Sequence, residues 1–232
     1  MRRTGKKSGL AAGRPAAVPG RDARELLLNA ACQLFGEHGV AATTFAMIAQ
    51  RAGLTPAMLH YYFTDREALI DAVVDERLAI LIASVWDPVH PAAGAGETIR
   101  GIVERLLAGI EANPWVPSTW MREVLNDGGL LRSRVVRHLP FKKVRVVAKA
   151  IARGQRNGSI HPGLDPVPMV LSAIGLVMLH TATRQFYAQT FQRRVPDHEA
   201  ICRHITSLLP GPEQKPPQAR RKAPGKNEAG KK

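Results

Sequence analysis

Between Thr44 and Arg66 the sequence places hydroxyl, imidazole, phenol and guanidinium groups at short intervals: Thr44, Arg51, Thr55, His60, Tyr61, Tyr62 and Arg66, with Pro56 and Ala57 among them. These groups suit hydrogen bonding to phosphate oxygens and base edges, not bond cleavage. Enzymatic readings lack a constellation. No G-x-S-x-G, H-E-x-x-H, phosphate-cradling glycine loop or paired-cysteine motif occurs. The eight histidines are scattered, and His198 and His204 are not at the three- or four-residue spacing that would aim both at one metal. No catalytic residue, metal ligand or cofactor is assigned.

The elements that must position these groups are short helices. Thr44 is an N-cap for a helix over 45–52 with Ile48, Ala49 and Ala52 inward, ended by Gly53. Thr55 caps a second helix over 56–62, with Pro56 in the favoured first position. Two helices of about seven residues joined by a tight glycine turn are helix-turn-helix arithmetic. The second helix can present its N-terminal residues to a major groove, and helix N-termini offer free N–H groups to phosphates. Tyr61 and Tyr62 are adjacent, so one must face outward; Tyr62 is expected near phosphate and Phe63 in the core. Arg51 is either a solvated side chain or a phosphate contact.

At these residues the sequence resembles the TetR family of transcriptional regulators. The resemblance rests on Leu34-Phe35-Gly36-Glu37-His38-Gly39, Thr43-Thr44, Ile48-Ala49, Ala52-Gly53, Thr55, His60-Tyr61-Tyr62-Phe63 and Arg66-Glu67-Ala68-Leu69. His60 stands where the family has a tyrosine, and Arg66 where it has a lysine; arginine keeps the charge and can still grip a phosphate. The resemblance implies an all-α homodimer with a three-helix DNA-binding domain and a later domain for ligand sensing and dimerisation. A small molecule bound there would release the protein from a palindromic operator.

The rest of the chain reads as helical, for about nine helices in all and no sheet. Residues 66–86 form a long helix ended by Pro88 and Pro91, and 96–112 follows with Ile99, Ile102, Val103, Leu106, Leu107 and Ile110 on one face. Further helices are expected over 115–126, over 130–156 with a kink or break at Pro140, over 166–190 started by Asp165-Pro166, and after Asp197 with Ile201, Ile205 and Leu208 inward. The domains are then 1–20, a disordered basic arm; 21–66, the DNA-binding domain; 67–209, effector binding and dimerisation; and 210–232, a disordered basic tail.

Trp86, Trp115, Trp120 and Met121 fall in the expected sensing region, as core or as pocket walls. The helix over 166–190 is apolar on nearly every side, which a monomer cannot hide. Ser172, Gly175 and Leu179 on it, with Ile201 and Ile205 after it, are expected to form a two-fold interface. Residues 132–156 hold nine basic side chains and no acid. Lys142, Arg145, Lys149, Arg153 and Arg156 share one face, either a solvated stripe or an attractor of DNA or an anionic effector.

Composition sets the outer bounds. The net charge is +14 and the hydrophobic content 45%, too apolar for a disordered chain. The excess charge lies in two tails, Arg2, Arg3, Lys6, Lys7 and Arg14 at one end and seven basic residues after 209 at the other, which favours a polyanionic partner. Cys32 and Cys202 fall on apolar stripes as buried thiols and cannot build a disulfide framework. The start lacks the apolar stretch of a secretory signal, so a cytoplasmic location is expected. The uncharged run 166–183 is at the lower length limit of a membrane span and is read as a buried helix. The leading reading is a ligand-responsive DNA-binding repressor. The alternative is a nucleoid-associated or architectural helix-turn-helix protein regulated by a protein partner.

Overall fold

The computed structural model describes residues 20–208 with the exception of Arg193; the two basic tails lie outside the described residues. No strand forms among the described residues. The helices are α1 (Gly20–His38), α2 (Phe45–Arg51), α3 (Pro56–Tyr62), α4 (66–86), α5 (Ala95–Ala112), α6 (116–124), α7 (Arg132–Val136), α8 (Phe141–Arg156), α9 (Pro166–Ala182), α10 (Arg184–Phe191) and α11 (His198–Ser207). Two are not regular throughout. Helix α4 carries a π-helical turn at Val74–Leu78, and α6 ends in another at Trp120–Val124.

The chain packs as two compact units, and they do not follow chain order. Of the described residues, the first holds 20–81 together with 113–139; the second holds 82–112 and 140–208. The first unit thus runs past the expected boundary at residue 66 and takes in a segment from far along the chain.

In the first unit, α1 lays Leu27, Leu28, Ala31, Leu34 and Phe35 against α2, α3, α4 and α6. Gly39 ends α1 at φ +85, a left-handed backbone that disfavours a side chain. Gly36 is needed for a different reason: a Cβ there would stand 2.9 Å from Trp115 Cβ, so α1 and the start of α6 approach too closely for one. The buried carboxylate of Glu123 accepts hydrogen bonds from the backbone N–H groups of Val40 (2.8 Å) and Leu130 (3.1 Å). It thereby satisfies the buried Val40 donor and a part-buried one at Leu130. Arg134 reaches Glu67 and Asp71 on α4, and His138 lies 2.9 Å from Asp75.

In the second unit, α5, α8, α9 and α11 pack on one another. The expected stripe on α5 is buried in full. Val147, Ala150 and Ile151 of α8, Val170, Ala173 and Val177 of α9, and Ile201 and Ile205 of α11 complete the core.

Several expectations change here. The described residues form eleven helices, where about nine were expected. Residues 130–156 divide into α7 and α8, with Pro140 as the break. The expected helix over 166–190 divides as well: α9 ends at Thr183 and α10 leaves it at 61°. The hydroxyls of Thr181 and Thr183 donate back to the carbonyls of Val177 and Leu179, a pattern that bends helices. Among the described residues no single helix is long and apolar enough to cross a membrane, and the pair α9–α10 passes that test only as a bent unit. Leu208 is exposed, whereas Ile201 and Ile205 face their own α5 and are unavailable to a partner.

Candidate nucleic-acid interface

Helices α2 and α3 form the expected pair, and local chemistry sets both. The Thr44 hydroxyl accepts the Met47 N–H, and the Thr55 hydroxyl accepts the Met58 N–H. Both threonines have extended backbones, as N-caps do. Gly53 turns the chain between them at φ +69, and Leu54 N–H bonds back to Ala49 O at 2.9 Å.

Helix α3 has two unlike sides. Leu59 and the following Phe63 are buried, with Met58 and Tyr62 half-buried. Thr55, Pro56, Ala57, His60 and Tyr61 are exposed together. The spacing 56, 57, 60, 61 is one helical face. Of the two tyrosines Tyr61 faces outward, 81% exposed, which reverses the expected preference for Tyr62. Tyr62 packs edge-on against Tyr61, ring centroids 5.0 Å apart, and turns its body toward the core. His60 lies over Phe45 of α2 with centroids 5.1 Å apart, so its ring is positioned while its edge stays open to solvent. Phe63 is held from its other side by the Arg24 guanidinium, 5.3 Å from the ring centroid.

The two arginines expected to grip phosphate are occupied differently. Arg66 donates to the carbonyls of Thr43 (2.7 Å) and Val40, bracing the loop before α2. Its guanidinium is spent on the backbone just ahead of Thr44. Arg51 forms a two-pronged pair with Glu37 at 2.8 and 2.9 Å on the surface. Hydrogen bonding from Arg51 holds the Glu37 carboxyl below its ordinary pKa. Thr44 itself is exposed beside its cap bond.

The residues expected around an effector are divided between the two units. Trp115, Trp120 and Met121 belong to the first unit, and Trp86 is buried in the second. Trp115 is half-buried where it meets Gly36. The second unit has a mainly apolar cleft of about 170 Å³ bounded by Leu164, Pro168, Met169, Leu176, Ile205 and Leu208. A more polar, open one runs past Arg100, Ser159, Arg203 and Thr206. No group of three metal-binding side chains occurs among the described residues. Cys32 and Cys202 are both buried and free, and burial pushes the Cys32 thiol up to about 12.

Sequence reasoning passed over Glu123. Nothing in its local sequence marks it, since Asp127 stands nearer the Gly128-Gly129 turn, and its partner Val40 is 83 residues away. It also passed over the ring contact of His180 with His204, centroids 5.9 Å apart on α9 and α11.

Two family models match the chain. Residues 27–73 match the bacterial regulatory proteins of the tetR family, and residues 96–208 match a Tetracyclin repressor-like C-terminal domain. The HTH-type transcriptional repressor KstR2 of Mycobacterium tuberculosis (strain H37Rv) is 32% identical over 139 residues, 60% of this chain and 70% of that one. The HTH-type transcriptional regulator BetI of Rhizobium meliloti is 31% identical over 117 residues, 50% of this chain and 56% of its own length. The chain spans about half the length of the BetI relatives it matches. The solved structure of the ketosteroid transcriptional regulator KstR2 of Mycobacterium tuberculosis has the same fold, with a TM-score of 0.64 and 19% identity over 84% of this chain and 98% of that one.

Proposed function

The chain belongs to the TetR family of bacterial transcriptional regulators, and on that premise we propose that it is a homodimeric repressor released from its operator by a small-molecule effector. The observation that carries this reading is the exposed face of α3, where Thr55, Pro56, Ala57, His60 and Tyr61 stand clear of the core on a helix fixed from behind by Leu59 and Phe63. Such a face supplies hydroxyl and imidazole groups and free N–H groups to a major groove. Thr44 and Tyr62 flank it. Arg51 can exchange its surface carboxylate for a phosphate, since an exposed pair of this kind is worth little. Location in the cytoplasm follows from access to DNA.

The dimer reading rests on α9. Its buried side is Met169, Val170, Ala173, Val177 and Met178, yet Leu171, Gly175 and Leu179 stand exposed on the opposite side, with Ser172 beside them. A Cβ at Gly175 would meet nothing within 4 Å. This face supports a two-fold contact with a second copy, and two-fold symmetry implies a palindromic operator. Ile201 and Ile205 are left out of it.

The test is selection of bound duplexes from a random library, followed by the paired variant His60→Ala/Tyr61→Ala. The wild type is expected to return a palindromic sequence. The variant should keep its fold and lose at least about tenfold in affinity for that sequence, as loss of one or two base contacts costs about 1–3 kcal/mol each. Equal affinity in the two proteins would overturn the assignment. Release by a metabolite, with ketosteroids tried first because KstR2 carries them in its name, separates this reading from regulation by a protein partner.

A further inference from the structure

We propose that the outward face of α8 is a second, sequence-independent DNA-binding surface, formed by Lys142, Arg145, Lys149 and Arg156. The inference rests on the DNA-binding reading above, and concerns a different part of the chain.

The first observation is the absence of neutralising partners. Six cations lie on α8 and no acid does. Three of the six donate to backbone carbonyls: Lys143 to Asp87 and Val89, Arg153 to Pro91, and Arg145 to Phe141 of its own helix. Lys143 and Arg153 therefore hold the chain over 87–93 in place and are structural. None of the six has a carboxylate partner among the described residues. Lys142, Arg145, Lys149 and Arg156 are all exposed.

The second observation is that this arrangement opposes helix stability. Lys142 and Lys143 sit in the first turn of α8, where the helix dipole favours acids. Lys142, Arg145, Lys149 and Arg156 follow one another at intervals of three, four and seven residues on one face, so like charges neighbour like charges. Arg153 and Arg156, in the last turn, sit where the dipole favours cations; for the others, folding alone gives no reason to carry the charge this way. An anionic partner reverses the sign of each of these terms.

The shape of the surface selects the partner. The four side chains stand exposed on the outside of a helix, and neither of the two clefts described above is lined by an α8 residue. A small anionic effector needs a concavity to lose its water, whereas an extended polyanion does not. Fourteen residues of helix run about 21 Å, a length over which a DNA strand offers about six phosphates. A membrane surface fits less well. The apolar side of α8, Val147, Ala150 and Ile151, is already buried in the second unit, which leaves the exposed Phe141 at its start, a single ring where insertion into lipid takes a whole apolar face.

The experiment uses the full chain, tails included, and the variant Lys142→Gln/Lys149→Gln/Arg156→Gln. Glutamine keeps helix propensity and removes the charge. Binding to a random-sequence duplex is measured between about 50 and 200 mM salt, where each phosphate neutralised adds about 0.9 to the slope of log affinity against log salt. The variant is expected to melt like the wild type and to lose about 2–3 from that slope. It should recover the same preferred sequence as the wild type from a random library. An unchanged slope in the folded variant overturns the proposal, as does a loss confined to vesicles containing phosphatidylserine, which would make the face a membrane contact. The outcome stands apart from the repressor reading. A wild type with no preferred sequence defeats that reading and leaves the slope to judge α8, while the His60→Ala/Tyr61→Ala variant changes sequence preference without changing the α8 contribution.

Discussion

The ion pairs of the first unit and helix α8 of the second use their cations in opposite ways. In the first, guanidinium groups close on carboxylates from distant parts of the chain: Arg24 on Glu76 at 2.5 Å, Arg77 on Glu25 at 2.6 Å, Arg51 on Glu37, and Arg134 on Glu67 and Asp71. In the second, the cations of α8 meet carbonyl oxygens or water. The first pattern ties elements together: α1 to α4 through Arg24 and Arg77, and the 113–139 segment to α4 through Arg134. The second leaves charge available to something outside the chain. The same residue types thus serve cohesion where an acid lies within reach, and on α8 Lys142, Lys149 and Arg156 are left without one.

The largest effect expected from disturbing the first unit is apolar, not ionic. Phe63 is 3% exposed at the end of α3, beneath the Arg24 guanidinium. Phe63→Ala should destabilise the protein by about 3–5 kcal/mol, read from urea unfolding. A loss below about 1 kcal/mol would show that the back of α3 does not depend on this ring. Next comes Glu123→Ala, which leaves the N–H groups of Val40 and Leu130 without acceptors. Its expected cost is about 1–3 kcal/mol, together with faster amide exchange at those two positions. Unchanged exchange there would mean that water replaces the carboxylate, and that 113–139 is held by packing alone.

The smallest effect is a pH dependence. Hydrogen bonding from Arg24 lowers the folded-state pKa of Glu76. A depressed carboxylate contributes stability that is fully present above its unfolded value and is lost as pH falls through the folded one. The pair is about a third exposed, so solvent screening keeps its contribution near about 0.5 kcal/mol. Stability of the wild type should therefore fall from about pH 5 downward more steeply than that of Arg24→Gln. Parallel curves would remove this pair from the account. Neutralising α8 should leave stability unchanged or slightly raised, and that contrast is the sharpest form of the comparison.

What the sequence determined by itself is everything that acts within one helical turn. Thr44, Thr55, Asp165 and Asp197 each accept an N–H two or three residues ahead, so their caps were readable before any fold was known. Gly39, Gly53 and Gly158 take positive φ for the same local reason. The α5 stripe was legible because burial repeats with the helix period. Tertiary structure decided the rest. Which of Tyr61 and Tyr62 turns outward depends on how α3 is rotated against its neighbours. Ile201 and Ile205 look like an interface until α5 covers them. Arg66 looks like a phosphate grip until the carbonyls of Val40 and Thr43 capture it. The allegiance of 113–139 to the first unit turns on Glu123 and Val40, and on Arg134 and Glu67, partners 83 and 67 residues apart. Local propensity carries no information about such partners, because their energy is realised only after the chain has closed the loop between them.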